Sequence, residues 1–243
     1  MAGAAFDLIA FDGDDTLWHN ERSYRDGRER FRRLLADAGV VLSSDAIEAR
    51  VNETEHANIK YFGYGVSSFT LSLMETAIEL TAGRISSAGL RDLIALAKEM
   101  MSEHVEVFAG VGETLAALST TRPLMLITKG DLLHQTSKLE RSGLQPYFQH
   151  VEVVSDKTPA VYRRILDRYG VEPSRFLMIG NSLRSDVLPV IDAGGWAVHV
   201  PAELNWAHEH AVPAAHHQER LIEIRTLTEV PDIVASFGLR SAR

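Results

Sequence analysis

The stretch Phe6-Asp7-Leu8-Ile9-Ala10-Phe11-Asp12-Gly13-Asp14-Asp15-Thr16 joins a short apolar run to a turn that is rich in carboxylates. A short apolar run that ends at a Gly/Asp turn predicts a buried strand. In an open α/β sheet, ligands bind at the carboxyl ends of the strands. We therefore expect the carboxylates of this turn at the functional edge of a sheet, where a bound cation would relieve their mutual repulsion.

Two simpler interpretations of the Asp-rich turn are weighed against a ligand site. An ordinary turn is possible, because Asp and Gly are common turn formers. A calcium loop of the EF-hand type is excluded by spacing, because its glycine and its closing glutamate would fall at Leu17 and Ser23. The segment by itself leaves the turn and the ligand site open, and the rest of the chain decides between them.

Composition limits the possible partners and compartments. The chain has 243 residues, a hydrophobic content of 45%, a net charge of −8 and no cysteine, which suits one large or two modest domains. Without a basic patch or stripe, we expect neither nucleic-acid binding nor docking on an anionic membrane. The absence of cysteine excludes disulfides and thiolate chemistry. The N-terminus lacks the features of a secretory signal, and we expect a soluble cytoplasmic protein; the oligomeric state stays open.

Strand and helix patterns alternate over much of the chain. Four further apolar runs predict strands at 124–127, 151–154, 176–179 and 197–200. Helical periodicity separates them at 111–120, 132–142 and 159–169. Strands that alternate with helices of this length predict an α/β fold with a Rossmann-like parallel sheet and helices on both faces.

The stretch 19–107 interrupts that alternation. It contains four amphipathic helical patterns, at 28–38, 44–61, 67–82 and 86–105, and no convincing strand. Four such helices in a row predict a small bundle. We therefore expect a catalytic core formed by 1–18 and 108–243, with an α-helical domain inserted at 19–107.

The later predicted strands end in residues suited to a phosphate site. Thr128-Lys129-Gly130 offers a hydroxyl and backbone N–H groups, which can hold phosphate oxygens. Lys157 offers a compact positive charge, and Asp186 brings another acid to the same edge. Each residue alone has a structural explanation, such as helix capping. Four successive strand ends that carry these groups are harder to explain by chance.

The ordered set of motifs resembles the haloacid dehalogenase superfamily. The matching residues are Asp12-x-Asp14-x-Thr16, Thr128, Lys157 and Gly180-Asn181-Ser182-x-x-x-Asp186. The resemblance covers residues 6–18 and 108–200, and the helical insert resembles the cap that this family carries after its first motif. Supporting matches follow the second motif, at Gln135, Lys138, Leu139, Gly143, Leu144 and Phe148.

The resemblance implies a Mg²⁺-dependent phosphomonoester hydrolase that acts on a small phosphorylated metabolite through an aspartyl-phosphate. It assigns Asp12 as the nucleophile and Asp14 as the general acid and base. It assigns the Mg²⁺ ion to the Asp12 side chain, the Asp14 carbonyl and the Asp186 side chain. The residues we expect to hold the phosphoryl group and substrate are Gly13, Thr128, Lys129, Gly130 and Lys157. Lys129 stands where relatives more usually have a small or amide residue. Asn181 stands where many relatives have Asp, and we expect it to act through water or behind the direct ligands.

Several alternatives stay open at this point. Asp14 disfavours a dehalogenase, because a halide leaving group needs no proton. A phosphosugar mutase, other chemistry on the same scaffold, and a phospho-receiver or binding protein are the remaining candidates. The segment Asn58–Gly65 fits either a lid lining or a packed turn. The histidines His208, His210, His216 and His217 favour a solvated loop, because their spacing does not match known zinc motifs.

Overall fold

The structure is a computed structural model that describes residues 6–202 and 211–240. Contacts divide the chain into two compact units. The α/β unit holds the described residues up to Glu21, the segment Val105–Thr128, and the described residues from Thr136 onward. The helical unit holds Arg22–His104 together with the short segment Lys129–Gln135. Each unit is described separately below.

Four helices build most of the helical unit, and their bounds are α1 Glu21–Asp37, α2 Ser44–Phe62, α3 Val66–Leu80 and α4 Ser87–Ser102. Their apolar faces share a core that includes Phe31, Leu35, Phe69, Leu73 and Leu93. Helix α1 begins well before the predicted residue 28. Its first turns, from Glu21 to Gly27, are mostly polar and therefore lack the apolar periodicity on which the prediction relied.

Polar groups are buried beside this helical core. Arg28 donates hydrogen bonds to Glu55 and Glu48 on α2, and its guanidinium carbon lies 5.6 Å from the centroid of the Phe69 ring. Between α2 and α3, Asn58 Nδ2 donates to Ser72 Oγ at 3.1 Å. The helices are thus joined by specific polar contacts as well as by apolar packing.

The α/β unit is built on a parallel sheet, as the sequence predicted, and the described residues form six strands in it. The strands are β1 Leu8–Phe11, β2 Leu124–Lys129, β3 His150–Val154, β4 Phe176–Gly180, β5 Trp196–His199 and β6 Leu221–Glu223. Their order is β3-β2-β1-β4-β5-β6. Strand β6 was not predicted, since it has three residues and sits at the sheet edge, where the apolar signal is short.

Alternate residues of the central strands serve two separate cores. Ile9 and Phe11 pack on one face of the sheet, while Leu8 and Ala10 pack on the other. This two-sided burial explains the continuous apolar runs in the sequence, because strands covered on both faces show no polar alternation.

The rest of the described residues form five further α-helices: α5 Val111–Ser119, α6 Leu132–Arg141, α7 Pro159–Tyr169, α8 Leu188–Asp192 and α9 Val230–Arg240. The bounds of helix α7 were predictable because both of its ends carry local sequence signals. The Thr158 side chain accepts the Val161 N–H, Pro159 occupies the first turn, and Gly170 ends the helix at φ 64°. Among the described residues, no helix combines the length and apolar character that crossing a bilayer requires.

Candidate active site

The site forms where β2, β1 and β4 lie side by side and end. Asp12 directly follows β1, and its N–H donates to the Ile179 carbonyl of β4 at 2.9 Å. Thr128 lies near the end of β2, and Gly180 ends β4. Since neighbouring parallel strands end at one edge, residues more than a hundred positions apart in sequence meet here.

Lys157 lies between two buried carboxylates. Its Nζ is 2.5 Å from Asp12 Oδ1 and 2.6 Å from Asp186 Oδ1. The exposed fractions of Lys157, Asp12 and Asp186 are 3%, 6% and 1%. A buried charge is costly unless it is paired, so the two acids and the lysine form one electrostatic unit.

Burial and mutual repulsion shift the ionisation of this unit. Burial and the Asp186 carboxylate raise the pKa of Asp12 to about 7, although Lys157 opposes them. Burial lowers the pKa of Lys157, but Asp12 and Asp186 outweigh that effect and the net shift is upward. One ammonium group therefore only partly compensates two acids, and another cation would be accommodated here.

The backbone around Asp186 is shaped to its carboxylate. Ser182 N–H donates to Asp186 Oδ2 at 3.0 Å, and the Ser182 hydroxyl accepts the Ser185 N–H at 2.9 Å. A Cβ on Gly180 would lie 2.3 Å from Asp186 Oδ2. Position 180 therefore requires glycine, because the Asp186 carboxylate lies so close to its backbone that any side chain would displace it.

Thr16 links the first motif to the fourth. Its hydroxyl accepts the Asn181 N–H at 3.0 Å and lies 3.0 Å from Asp12 Oδ2 and 3.2 Å from Asn181 Oδ1. A hydroxyl carries a single proton, so it donates to one of these two oxygens at a time. Asn181 thus reaches Asp12 through Thr16.

Asp14 is held by two donors that the motif analysis did not assign to it. The Trp18 indole N–H donates to Asp14 Oδ1 at 2.7 Å, and Lys138 Nζ contacts the same oxygen. A Cβ on Gly13 would lie 2.7 Å from the Trp18 ring, so this glycine permits the indole to pack over the loop. Asp14 and Trp18 are four residues apart, a spacing that brings side chains together in a helix, but this segment is a turn. The sequence pattern therefore did not predict the contact, which the conformation of the turn creates.

The remaining predicted substrate contacts fall in two places. Thr128 Oγ1 lies 3.5 Å from the position of a Cβ on Gly13, next to the Asp12 turn. Lys129 and Gly130 are grouped with the helical unit. There, Lys129 Nζ lies 4.3 Å from the centroid of the Tyr64 ring, which is a cation–π contact.

The comparisons with known proteins identify the family of this chain. A model of the haloacid dehalogenase-like hydrolases matches residues 6–194. The chain belongs to the haloacid dehalogenase-like hydrolases. A haloacid dehalogenase-like family hydrolase from Xanthomonas campestris has a similar structure, with 38% sequence identity and a TM-score of 0.86 over 99% of this chain and 95% of that one.

Two curated relatives of this hydrolase carry more specific names. A glyceraldehyde 3-phosphate phosphatase from Methanothermobacter thermautotrophicus is 26% identical over 84% of this chain and 89% of its own length. An N-acylneuraminate-9-phosphatase from Rattus norvegicus is 27% identical over 76% of this chain and 78% of its own length.

The donor set of this hydrolase suits a hard divalent cation. Asp12 and Asp186 offer carboxylate oxygens, and Lys157 Nζ contacts one oxygen of each. Asp14, in the adjoining turn, offers a backbone carbonyl. Mg²⁺ prefers oxygen ligands and is commonly held by one or two carboxylates. Lys157 offsets only part of the negative charge of Asp12 and Asp186, which also favours a bound cation at this position.

The described part of the histidine-rich segment gathers around Asp192. Nδ1 of His217 accepts the Ala214 N–H at 2.9 Å, so the ring proton of neutral His217 sits on Nε2, 3.1 Å from Asp192 Oδ1. His216 Nε2 lies 3.3 Å from the same oxygen. A metal ligand needs an unprotonated nitrogen, but Nδ1 of His217 already accepts a hydrogen bond and Nε2 carries the proton. His217 therefore acts here as a hydrogen-bond donor to Asp192. His208 and His210 lie outside the described residues.

Proposed function

We propose that this hydrolase is a Mg²⁺-dependent phosphatase that cleaves small phosphate monoesters through an aspartyl-phosphate. The observation that carries the proposal is the placement of Lys157 between Asp12 and Asp186. This arrangement combines a buried carboxylate nucleophile, a cation for phosphate oxygens and a second acid for a metal. Two curated relatives named as phosphatases of small phosphorylated compounds support the same reaction class.

In the first step, a carboxylate oxygen of Asp12 attacks phosphorus and the bond from phosphorus to the ester oxygen breaks. Asp14 donates its proton to that leaving oxygen, so an alcohol departs. Thr128 and Lys157 hold the transferred phosphoryl oxygens. Bound Mg²⁺ would neutralise charge between the Asp12 carboxylate and the anionic substrate.

In the second step, Asp14 takes a proton from water while the water oxygen attacks phosphorus. The acyl-phosphate bond breaks, inorganic phosphate leaves, and Asp12 returns as a carboxylate. The backbone of Gly13 and the residues Lys129 and Gly130 remain sequence-based predictions for substrate contact, and Asn181 supports Asp12 through Thr16.

The helical unit is proposed to act as the cap of this enzyme, excluding water and selecting the leaving group. Within the segment Asn58–Gly65, Asn58 is buried and donates to Glu75 at 2.8 Å, which indicates a structural role. Tyr61 and Phe62 are instead 71% and 52% exposed. We propose these two aromatic side chains as candidates for contact with a leaving group.

A panel of phosphorylated metabolites, assayed for phosphate release with and without Mg²⁺, tests the proposal. We expect Mg²⁺-dependent turnover of at least one small monoester. Asp12→Asn should remove the activity, while Asp167→Asn, an exposed change on α7, should leave it unchanged. The absence of turnover on every ester, or full activity of Asp12→Asn without deamidation, would contradict the proposal.

Isotope and product analysis separates the alternatives. In H₂¹⁸O, the phosphatase mechanism places ¹⁸O in phosphate, whereas attack of water on the Asp12 carbonyl carbon would place it on Asp12. Borohydride trapping followed by mass spectrometry should locate the acyl-phosphate at Asp12. A mutase would return an isomeric phosphate ester, and a phospho-receiver would stop after one equivalent of phosphoryl transfer.

A further inference from the structure

An irregular helical turn carries Asp186. Residues Leu183–Val187 form a π-helical turn, in which the Leu188 N–H donates to the Leu183 carbonyl five residues earlier. Such turns depart from the regular hydrogen-bond ladder and occur often at functional sites. The position of Asp186 therefore depends on contacts that hold this turn in place.

The carbonyl of Ser185 in this turn accepts a hydrogen bond from outside the turn. The Tyr162 hydroxyl, on α7, donates to it at 3.0 Å. Tyr162 is 1% exposed and Ser185 is 4% exposed, so this hydroxyl supplies the carbonyl with a donor in a buried environment.

Tyr162 also connects two motifs of the site. It lies on α7, five residues after Lys157, and its hydroxyl reaches the residue directly before Asp186. The Asp186 oxygens are held by Lys157 and by the Ser182 N–H. The Tyr162 contact is different, because it fixes the main chain of the turn from which the Asp186 side chain projects.

We propose that Tyr162 is a positioning residue that holds Asp186 in place for a divalent cation. The inference rests on the proposed function, because Asp186 is there a metal ligand. The Tyr162 hydroxyl holds the turn through its hydrogen bond to the Ser185 carbonyl. The Tyr162 ring packs in the core, and its centroid lies 6.4 Å from the centroid of the Phe176 ring. Loss of the hydroxyl should therefore weaken cation binding while leaving the core filled.

The test is Tyr162→Phe, with Mg²⁺ binding measured by calorimetry in the absence of substrate. We expect the Kd for Mg²⁺ and the Mg²⁺ concentration for half-maximal activity each to rise about 10-fold. The kcat at saturating Mg²⁺ should stay within about two-fold, because no group that contacts substrate has changed. An unchanged Kd, or lower stability with an unchanged Kd, would overturn the proposal.

The matched control is Tyr169→Phe. This substitution removes a hydroxyl from the same helix, where Tyr169 donates to Glu152 at 2.9 Å away from the cluster around Asp186. We expect its Kd for Mg²⁺ to equal that of the wild type. A rise equal to that of Tyr162→Phe would show a general effect on α7 and would overturn the proposal.

If Tyr162→Phe is destabilised, Mg²⁺ binding is measured below its unfolding transition, with the wild type and Tyr169→Phe at the same temperature. An unchanged Kd under those conditions would overturn the proposal.

Failure of this inference differs from failure of the proposed function. A wild-type protein that binds no Mg²⁺, or binds it equally well after Asp186→Asn, contradicts the proposed metal site. A wild-type protein that binds Mg²⁺ through Asp186, beside a Tyr162→Phe variant of equal affinity, contradicts only the role of Tyr162.

Discussion

The indole N–H of Trp18 donates a 2.7 Å hydrogen bond to Oδ1 of Asp14, four residues before it. Lys138 contacts the same oxygen and also donates to Asn20 Oδ1 at 2.7 Å. The Asp14 carboxylate is therefore oriented by donors from its own loop and from α6. The proposed acid and base is thus controlled by residues outside the Asp12-x-Asp14 motif.

Trp18→Phe should impair the leaving-group step selectively. We expect kcat/KM for an alkyl phosphate to fall about 10-fold, because a disordered Asp14 donates its proton less effectively and kcat/KM covers the steps through departure of the leaving group. With p-nitrophenyl phosphate the loss in kcat/KM should stay below about two-fold, since nitrophenolate leaves without protonation. Trp196→Phe on β5 is the matched control and should change neither rate. Equal losses on both substrates would exclude this role for Trp18.

Gly180→Ala should disturb Asp186, because the added Cβ would lie 2.3 Å from its carboxylate oxygen. We expect activity to fall about 10- to 100-fold and Mg²⁺ binding to weaken. Gly112→Ala on α5 meets no atom within 4 Å and serves as the control. It should raise the free energy of unfolding by about 0.5–1 kcal/mol and leave kcat unchanged. Wild-type kinetics in Gly180→Ala would show that this contact is dispensable.

Thr16→Val should affect both stability and turnover. It leaves the buried Asn181 N–H without its hydroxyl acceptor, at a cost of about 1–3 kcal/mol, and removes a donor beside Asp12. We expect kcat to fall about 10-fold, a barrier change of about 1.4 kcal/mol. Thr114→Val removes a buried hydroxyl that donates to the Leu227 carbonyl at 3.3 Å. That control should lose stability but keep its kcat; a Thr16→Val enzyme with normal kcat would refute the link to Asp12.

Glu55 predicts a pH-dependent stability. Burial raises its pKa from 4.5 to about 7, although the adjacent Arg28 opposes this and Glu48 adds to it. A carboxyl with a raised folded-state pKa contributes stability that is complete below pH 4.5 and is lost as pH rises through 7. The unfolding free energy of Glu55→Gln minus that of the wild type should therefore grow with pH, by at most about 3 kcal/mol.

Chemical denaturation between pH 4.5 and pH 8 measures this difference. Glu53→Gln, an exposed change on the same helix, should show a constant difference from the wild type over that range. If the Glu55→Gln difference is flat or shrinks with pH, Arg28 dominates and the carboxyl is ionised throughout.

The sequence predicted the central strands and α7 well because their signals are local. Continuous apolar runs mark strands buried on both faces, and the Thr158 cap, Pro159 and Gly170 delimit a helix without reference to distant residues. The start of α1 and strand β6 were not predicted. Their residues show little periodicity, and they are defined by their packing within each unit.

At the site, the sequence predicted that Asp12, Lys157 and Asp186 would meet, and their contacts agree with that expectation. It did not assign Trp18 and Lys138 to Asp14, nor Tyr162 to the turn before Asp186. These three donors belong to no sequence motif that indicates their role. Tryptophan, lysine and tyrosine also occur at such positions when they only pack against their neighbours.

By itself, the sequence determined which chemical groups stand at the strand ends and in which order, because strand-forming runs and turn residues act over a few neighbours. Only the tertiary structure decided which side chains orient those groups. The hydroxyl of Tyr162 contacts the Ser185 carbonyl because α7 packs beside the turn that carries Asp186. Such pairings depend on the relative placement of whole elements, which local periodicity does not encode.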